Sequence, residues 1–203
     1  FLARSMGVPI RRLILATNEN NVLEEFFTTG VYRPRSAEDT LATSSPSMDI
    51  SKASNLERFI WALLGPEAFE QRWAELETTG TLDLRDQLPR LREEFGFVAG
   101  TSSHADRLET IRSVKERSGR LIDPHTADGV TVALRVMEPG FPTLVMETAK
   151  AAKFPQTVAE ALGSEPETPD VVADLLAQPQ KVETIDNEEA PLRALIEERA
   201  LRR

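Results

Sequence analysis

A short apolar run that ends in a polar cluster and gives way to a helical stretch recurs along this chain, and that unit restricts the fold more than any other feature. Leu13-Ile14-Leu15-Ala16 ends at Thr17-Asn18-Glu19-Asn20-Asn21, with a helix expected over Val22–Thr29. Arg120-Leu121-Ile122 ends at Asp123-Pro124-His125-Thr126-Ala127. Thr143-Leu144-Val145-Met146 ends at Glu147-Thr148-Ala149, with a helix through Val158–Leu162 behind it. Brief apolar runs bounded by turn and cap residues read as buried strands. Strand–helix alternation implies a parallel sheet covered on both faces, so the expected class is α/β, with parallel strands flanked by helices. Ligands of such sheets collect at the carboxyl ends of the strands. Any one of these clusters is what a helix start uses for capping. Their coincidence, with a fourth polar loop at 44–50, points to a ligand.

Between the first and second units the periodicity changes. Residues 30–52 are rich in Ser, Thr and Pro and longer than most connections in compact domains. Leu56, Phe59, Ile60 and Leu63 then recur at helical spacing, followed by Phe69, Trp73 and Leu76, and by Leu88, Leu91 and Phe95. The expected division is residues 1–52 as part of an α/β domain, 53–118 as an inserted helical layer, and 119–203 as the remainder of the α/β domain with a helical tail. The last helix is expected over Pro191–Arg203. Phe1–Gly7 reads as the last turns of a helix ending at a glycine, which suggests a fragment of a longer protein.

Composition removes several function classes. The net charge is −9, from 24 basic and 33 acidic residues, where phosphate-backbone binding needs clustered Lys and Arg, so no nucleic-acid partner is expected. There is no cysteine, and histidine occurs only at His104 and His125, which leaves little for a metal site. No apolar run reaches the length of a membrane span and no signal-peptide pattern is present, so the expected setting is the cytoplasm, away from membranes. Neither the dinucleotide nor the P-loop glycine fingerprint occurs.

The remaining candidates carry two readings each. Ser44-Ser45-Pro46-Ser47-Met48-Asp49-Ile50 offers hydroxyls and a carboxylate suited to a phosphate or an amino acid; as residue types alone, a Ser/Pro turn before a helix capped by Ser54 fits better. His125 suits acid–base chemistry or a cap, and His104 the same with less to favour it. The Thr148 hydroxyl can make one hydrogen bond to a ring nitrogen, or cap a helix. Lys150 and Lys153 suit an anion or solvent. Trp61 and Trp73 read as core or helix–helix contacts.

Five motifs occur in one order along nearly the whole chain: Ala16-Thr17-Asn18-Glu19-Asn20-Asn21; Ser45-Pro46-Ser47-Met48-Asp49-Ile50; Ser54-Asn55-Leu56-Glu57-Arg58-Phe59; Asp123-Pro124-His125-Thr126-Ala127; and Glu147-Thr148-Ala149 through Lys153-Phe154. Together they resemble the consecutive signature of threonine synthases, and the long helical insertion resembles the larger bacterial and fungal type. The resemblance implies part of the large domain of a fold-type II pyridoxal 5'-phosphate enzyme, a lyase of threonine biosynthesis. Such enzymes convert O-phospho-L-homoserine and water to L-threonine and phosphate, by γ-elimination and then β-addition. In the family the Schiff-base lysine and the glycine-rich phosphate loop precede the segment resembling Phe1. The resemblance therefore implies no catalytic residue in this chain, an N-terminal half of the same protein as its partner, and no activity for the chain alone. Thr148 matches the threonine that hydrogen-bonds the pyridine nitrogen, and Asp123 a segment beside the cofactor ring. Ser45, Ser47, Asp49 and Asn55 match a segment near the substrate. Leu56 and Ala151 depart from the more usual Phe and Pro. Two alternatives stay open: a threonine-synthase-like module without catalysis, and a related lyase acting on another phosphorylated amino alcohol.

Overall fold

The structure, a computed structural model, describes residues 1–200. Two compact units are resolved by their internal contacts, Phe1–Glu167 and Thr168–Arg203.

The first unit opens with the helical turn α1 (Leu2–Ser5), which runs into Gly7 at φ +94°. Strand β1 (Leu13–Thr17) follows, then α2 (Val22–Thr29). At Gly30 a Cβ atom would stand 2.8 Å from the Arg85 Cα, so a side chain there would push apart the antiparallel pair formed by β2 (Val31–Tyr32) and β3 (Leu82–Asp83). Between those two strands lie α3 (Ser54–Leu64) and α4 (Pro66–Thr79). Their apolar stripes meet over Leu56, Phe59, Ile60, Leu63, Trp73 and Leu76, all buried. The Phe59 ring packs edge-on against Phe1, Phe95 and Phe97 at 5.0, 5.7 and 5.0 Å. Trp73 is buried and stacked on Phe69, as expected of a core tryptophan, whereas Trp61 stays half exposed. The third expected helix, about Leu88–Phe95, forms as a continuous helical stretch that starts as a 3-10 turn at Arg85–Gln87 and ends as a π-helical turn at Arg90–Glu94, burying Leu91.

Strand β4 (Phe97–Thr101) pairs in parallel with β1, in a register running from Leu13 opposite Phe97 to Thr17 opposite Thr101. It lies inside the stretch that reads from its periodicity as a helical layer, and it returns the chain to the sheet. Helix α5 (His104–Ser118) begins with a capping box: the Ser103 hydroxyl accepts from the Asp106 N–H, and the Asp106 carboxylate accepts from the Ser103 N–H. The Ser103 hydroxyl and N–H both lie within bonding distance of Asp106 Oδ2, at 2.7 and 2.9 Å, and with Arg135 they hold the Asp106 carboxyl down at about 2. Helix α6 (Pro124–Val136) is capped by Asp123, and Gly100 lets it approach the sheet, since a Cβ there would lie 2.9 Å from Val132 Cγ1. Ser54 does not cap α3: Ala53 holds the N-cap position and no side chain caps it.

Two segments expected as strands, 120–122 and 143–146, have no ladder partner among the described residues. Extended chain becomes sheet only when its N–H and C=O groups meet those of a neighbour. Helix α7 (Pro155–Leu162) follows as expected and closes on α5 around Ile111 and Ala161.

The second unit holds α8 (Asp170–Leu176) and α9 (Glu189–Arg199). Helix α9 covers most of the expected terminal helix; residues 201–203 of that expectation lie outside the described residues. Leu192 and Ile196 on α9 are about half exposed, at 48% and 57%. Among the described residues no helix is long and apolar enough to cross a membrane.

Candidate functional site

The carboxyl end of β1 is buried and polar. Thr17, Asn18 and Asn20 are all inside. Asn18 Nδ2 donates to Thr43 Oγ1 and Asp49 Oδ1, both at 2.8 Å, with Ser45 Oγ and O further off at 3.2 and 3.3 Å. Asn20 Nδ2 reaches the Leu41 carbonyl and Asp49 Oδ1 at 2.9 Å, and its Oδ1 accepts the Leu41 N–H. The Thr43 hydroxyl and N–H complete the Asp49 shell, each at 2.8 Å. Asp49 is thereby a knot: its carboxylate ties the polar loop 41–49 to the end of β1, and every acceptor it offers is used within the chain. Ser45 is buried under this knot, while Ser47 rides exposed on the 3-10 turn Pro46–Met48. Asn55 is exposed in the first turn of α3, without a hydrogen bond among the described residues.

A second polar cluster braces the same loop from below. Arg107, on the inner face of α5, has a fully buried side chain. Its Nη2 meets both Glu19 oxygens at 2.9 and 2.8 Å, its Nη1 meets Asp128 Oδ1 at 3.0 Å, and its Nε donates to the Ser44 hydroxyl at 2.8 Å. The Ser44 hydroxyl, which accepts from Arg107, also lies 2.8 Å from His104 Nδ1, and His104 Nε2 donates to Glu160 at 2.9 Å. Burial pushes the Asp128 carboxyl up, opposed by the Ser102, Arg107 and Ser45 groups around it. Asp128 Oδ2 and Ser102 Oγ nevertheless lie buried without a hydrogen bond of good geometry.

The start of α6 forms the third part. Asp123 is fully buried and accepts from the His125 N–H, from His125 Nδ1 and from the Thr126 hydroxyl. Burial alone would raise its carboxyl, but the bonds from His125 and Thr126 outweigh it and hold the group below its ordinary range. The other ring nitrogen of His125 accepts the Ser47 N–H at 3.0 Å. Thus two of the polar clusters expected at strand ends, Asn18–Asn20 and Asp123–Thr126, come together with the Ser45–Asp49 loop. Thr148 does not join them through any hydrogen bond: it is exposed in the extended segment 143–149, its hydroxyl without a partner among the described residues. That segment crosses α6 where Val145 lies over Gly129. Lys150 pairs with Glu147 at 2.7 Å and is largely exposed.

Glu19, Ser44, His104, Arg107 and Asp128 form a connected set that the sequence marks only faintly. Arg107 recurs at three and four residues with His104 and Ile111, an inward-facing spacing that one charged residue does not announce.

Comparison with known proteins gives this arrangement a context. Residues 126–196 match the family model "Threonine synthase, C-terminal". The chain is 49% identical over 200 residues to a threonine synthase of Methylobacillus glycogenes, covering 97% of this chain and 42% of that protein. It is 50% identical over 192 residues to one of Corynebacterium glutamicum, covering 92% of this chain and 40% of that protein. The crystal structure of PLP-bound threonine synthase from Brucella melitensis superposes with a TM-score of 0.83 at 34% identity, over 97% of this chain and 41% of that one. The chain thus spans about two fifths of the length of the curated relatives it matches. The fold is that of part of the large α/β domain of fold-type II pyridoxal-phosphate enzymes. Within that class the chain is similar in sequence and in fold to the C-terminal portion of threonine synthases.

Proposed function

We propose that the whole protein converts O-phospho-L-homoserine and water to L-threonine and phosphate in the cytoplasm, and that this chain supplies one wall for the substrate and one for the cofactor. The observation that carries this reading is the convergence of the Ser45–Asp49 loop on the end of β1 and the start of α6, where a ligand of a parallel sheet sits. Pyridoxal phosphate, when bound, supplies the electron sink for loss of phosphate and addition of water. Thr148 would hold the ring nitrogen: its hydroxyl is uncommitted among the described residues and, being neutral, leaves that nitrogen largely unprotonated. Asp123 is fully buried with both oxygens engaged, so its part is to fix the wall beside the ring through His125 and Thr126. Ser47 would line the substrate with Asn55 at the rim, while Ser45, fully buried, and Asp49 would fix the loop beneath it.

No catalytic residue is assigned to this chain, and the chain alone is expected to be inactive. Its partner would be the N-terminal half of the same protein, covering Leu134, Met137, Phe141, Leu144 and Met146, which are exposed here. The division at 52/53 and 118/119 belongs to the same proposal, with β4 as the seam that returns the inserted layer to the sheet.

The test is an assay of the full-length protein on O-phosphohomoserine. Threonine and phosphate in equal amounts are expected; a keto acid instead would assign a related lyase, and no turnover a non-catalytic module. Thr148→Ala should weaken cofactor retention or turnover about tenfold with the far-ultraviolet circular dichroism unchanged. Unaltered kinetics would remove Thr148 from the site.

A further inference from the structure

His125 occupies a position from which an acid–base role is easily imagined, yet its hydrogen bonds describe something else. The Ser47 backbone N–H, 3.0 Å from Nε2, can only donate, so Nε2 presents its lone pair. Nδ1 lies 2.8 Å from Asp123 Oδ1, an oxygen of a carboxylate held ionised, so Nδ1 carries the proton. Both ring nitrogens are committed and the ring is neutral. The side chain is 7% exposed, and the Phe154 ring lies 4.7 Å away. Asp123 is itself immobilised by the first turn of α6, through the His125 N–H and the Thr126 hydroxyl.

The other end of this connection is the tip of the polar loop. Asn18 and Asn20 grip the loop at Leu41, Thr43, Ser45 and Asp49, on either side of the turn Pro46–Met48. The turn's own bonds, Met48 N–H to Ser45 O and Asp49 N–H to Pro46 O, stay within the loop. Among the described residues, the bond to His125 is the one that ties the turn to another part of the fold.

We propose that His125 is a positioning residue: a neutral imidazole, oriented by Asp123, that latches the Ser47 tip and so sets where the Ser47 hydroxyl meets the substrate. This rests on the reading of the loop as the substrate wall. It assigns His125 no proton transfer in the reaction. Loss of the latch acts on substrate binding and leaves the chemical step nearly intact.

Three measurements on the full-length protein test it. First, nitrogen-15 histidine spectra at neutral pH, with the His125 signal assigned by its disappearance in His125→Gln, should show the neutral Nδ1–H tautomer; an imidazolium or the opposite tautomer overturns the latch. Second, His125→Ala should raise KM for O-phosphohomoserine about tenfold, as expected for a donor left unpaired, with kcat changed less than about threefold. His125→Gln, whose side-chain oxygen can still accept the Ser47 N–H, should restore most of KM. A Gln variant that loses kcat, together with one limb of the pH–rate profile, would mean acid–base work and overturn the proposal. Third, hydrogen exchange at the Ser47 amide should quicken in His125→Ala. Unchanged exchange overturns the latch, whereas quickened exchange with unchanged KM overturns the placement of the loop at the substrate. Should the Ala variant fail to fold, the tautomer and the Gln kinetics decide.

Discussion

The two walls assigned to the site are built in opposite ways. The loop 41–49 is held by side chains of this chain, with Asn18, Asn20 and Asp49 making a closed set and Arg107 reaching Ser44 from beneath. The segment 143–149 has no such set: Leu144 and Met146 are 87% and 72% exposed, and its backbone joins no ladder among the described residues. A wall whose polar groups satisfy one another arrives pre-formed, so little ordering remains to oppose binding. A wall of exposed apolar residues in extended chain has its geometry set by whatever lies against it. The difference teaches that sequence similarity can be continuous across two walls while the physical origin of their shape is not.

The sharpest way to break this contrast is to remove the brace. Arg107→Ala leaves Asp128 buried and uncompensated and Glu19 without its two hydrogen bonds, and it should cost about 3–5 kcal/mol of stability. The shift in denaturant midpoint measures it. A loss below about 1 kcal/mol would show that the loop does not depend on the buried cation, and that both walls lean on something else.

A smaller effect is expected at the knot. Asp49→Ala strands the side-chain donors of Asn20 and Thr43 and the Thr43 N–H, at a cost of about 1–3 kcal/mol. Amide exchange should rise in 41–49 and remain unchanged in 143–149. Equal increases in both segments would erase the distinction between a wall held from within and one held from outside.

How far these features were legible follows the range of the interactions. The Asp123 cap is local, one residue before its helix, and the composition of Asp123-Pro124 announces it. The apolar spacing that builds α3 and α4 is local too. Strand β4 escaped because its glycine and threonine dilute a short apolar run, and β2 and β3 are two residues each, too short for any pattern. The segments 120–122 and 143–146 carry strand composition without a partner, since a ladder is a property of two chains of residues and composition reports on one. Arg107 was hidden for a different reason. A charged residue on an otherwise polar helix reads as a solvated face, and only the distant acids Glu19 and Asp128 make its burial tolerable. The role of Asp49 as a tether was hidden likewise, with partners 29 and 31 residues away in sequence.

The smallest effect should come from the other wall, and it discriminates best between the two origins of shape. Leu144 is almost fully exposed, so Leu144→Asp removes little buried apolar surface from this chain and should move its own stability by no more than about 0.5 kcal/mol. In the full-length protein the same carboxylate would be pressed into whatever covers 143–149, where burying an unpaired charge is strongly disfavoured. Loss of cofactor retention there, alongside an unperturbed chain here, is the expected pair of results. A large destabilisation of the 203-residue chain itself would mean that Leu144 is packed by its own unit, and that the second wall is as self-made as the first.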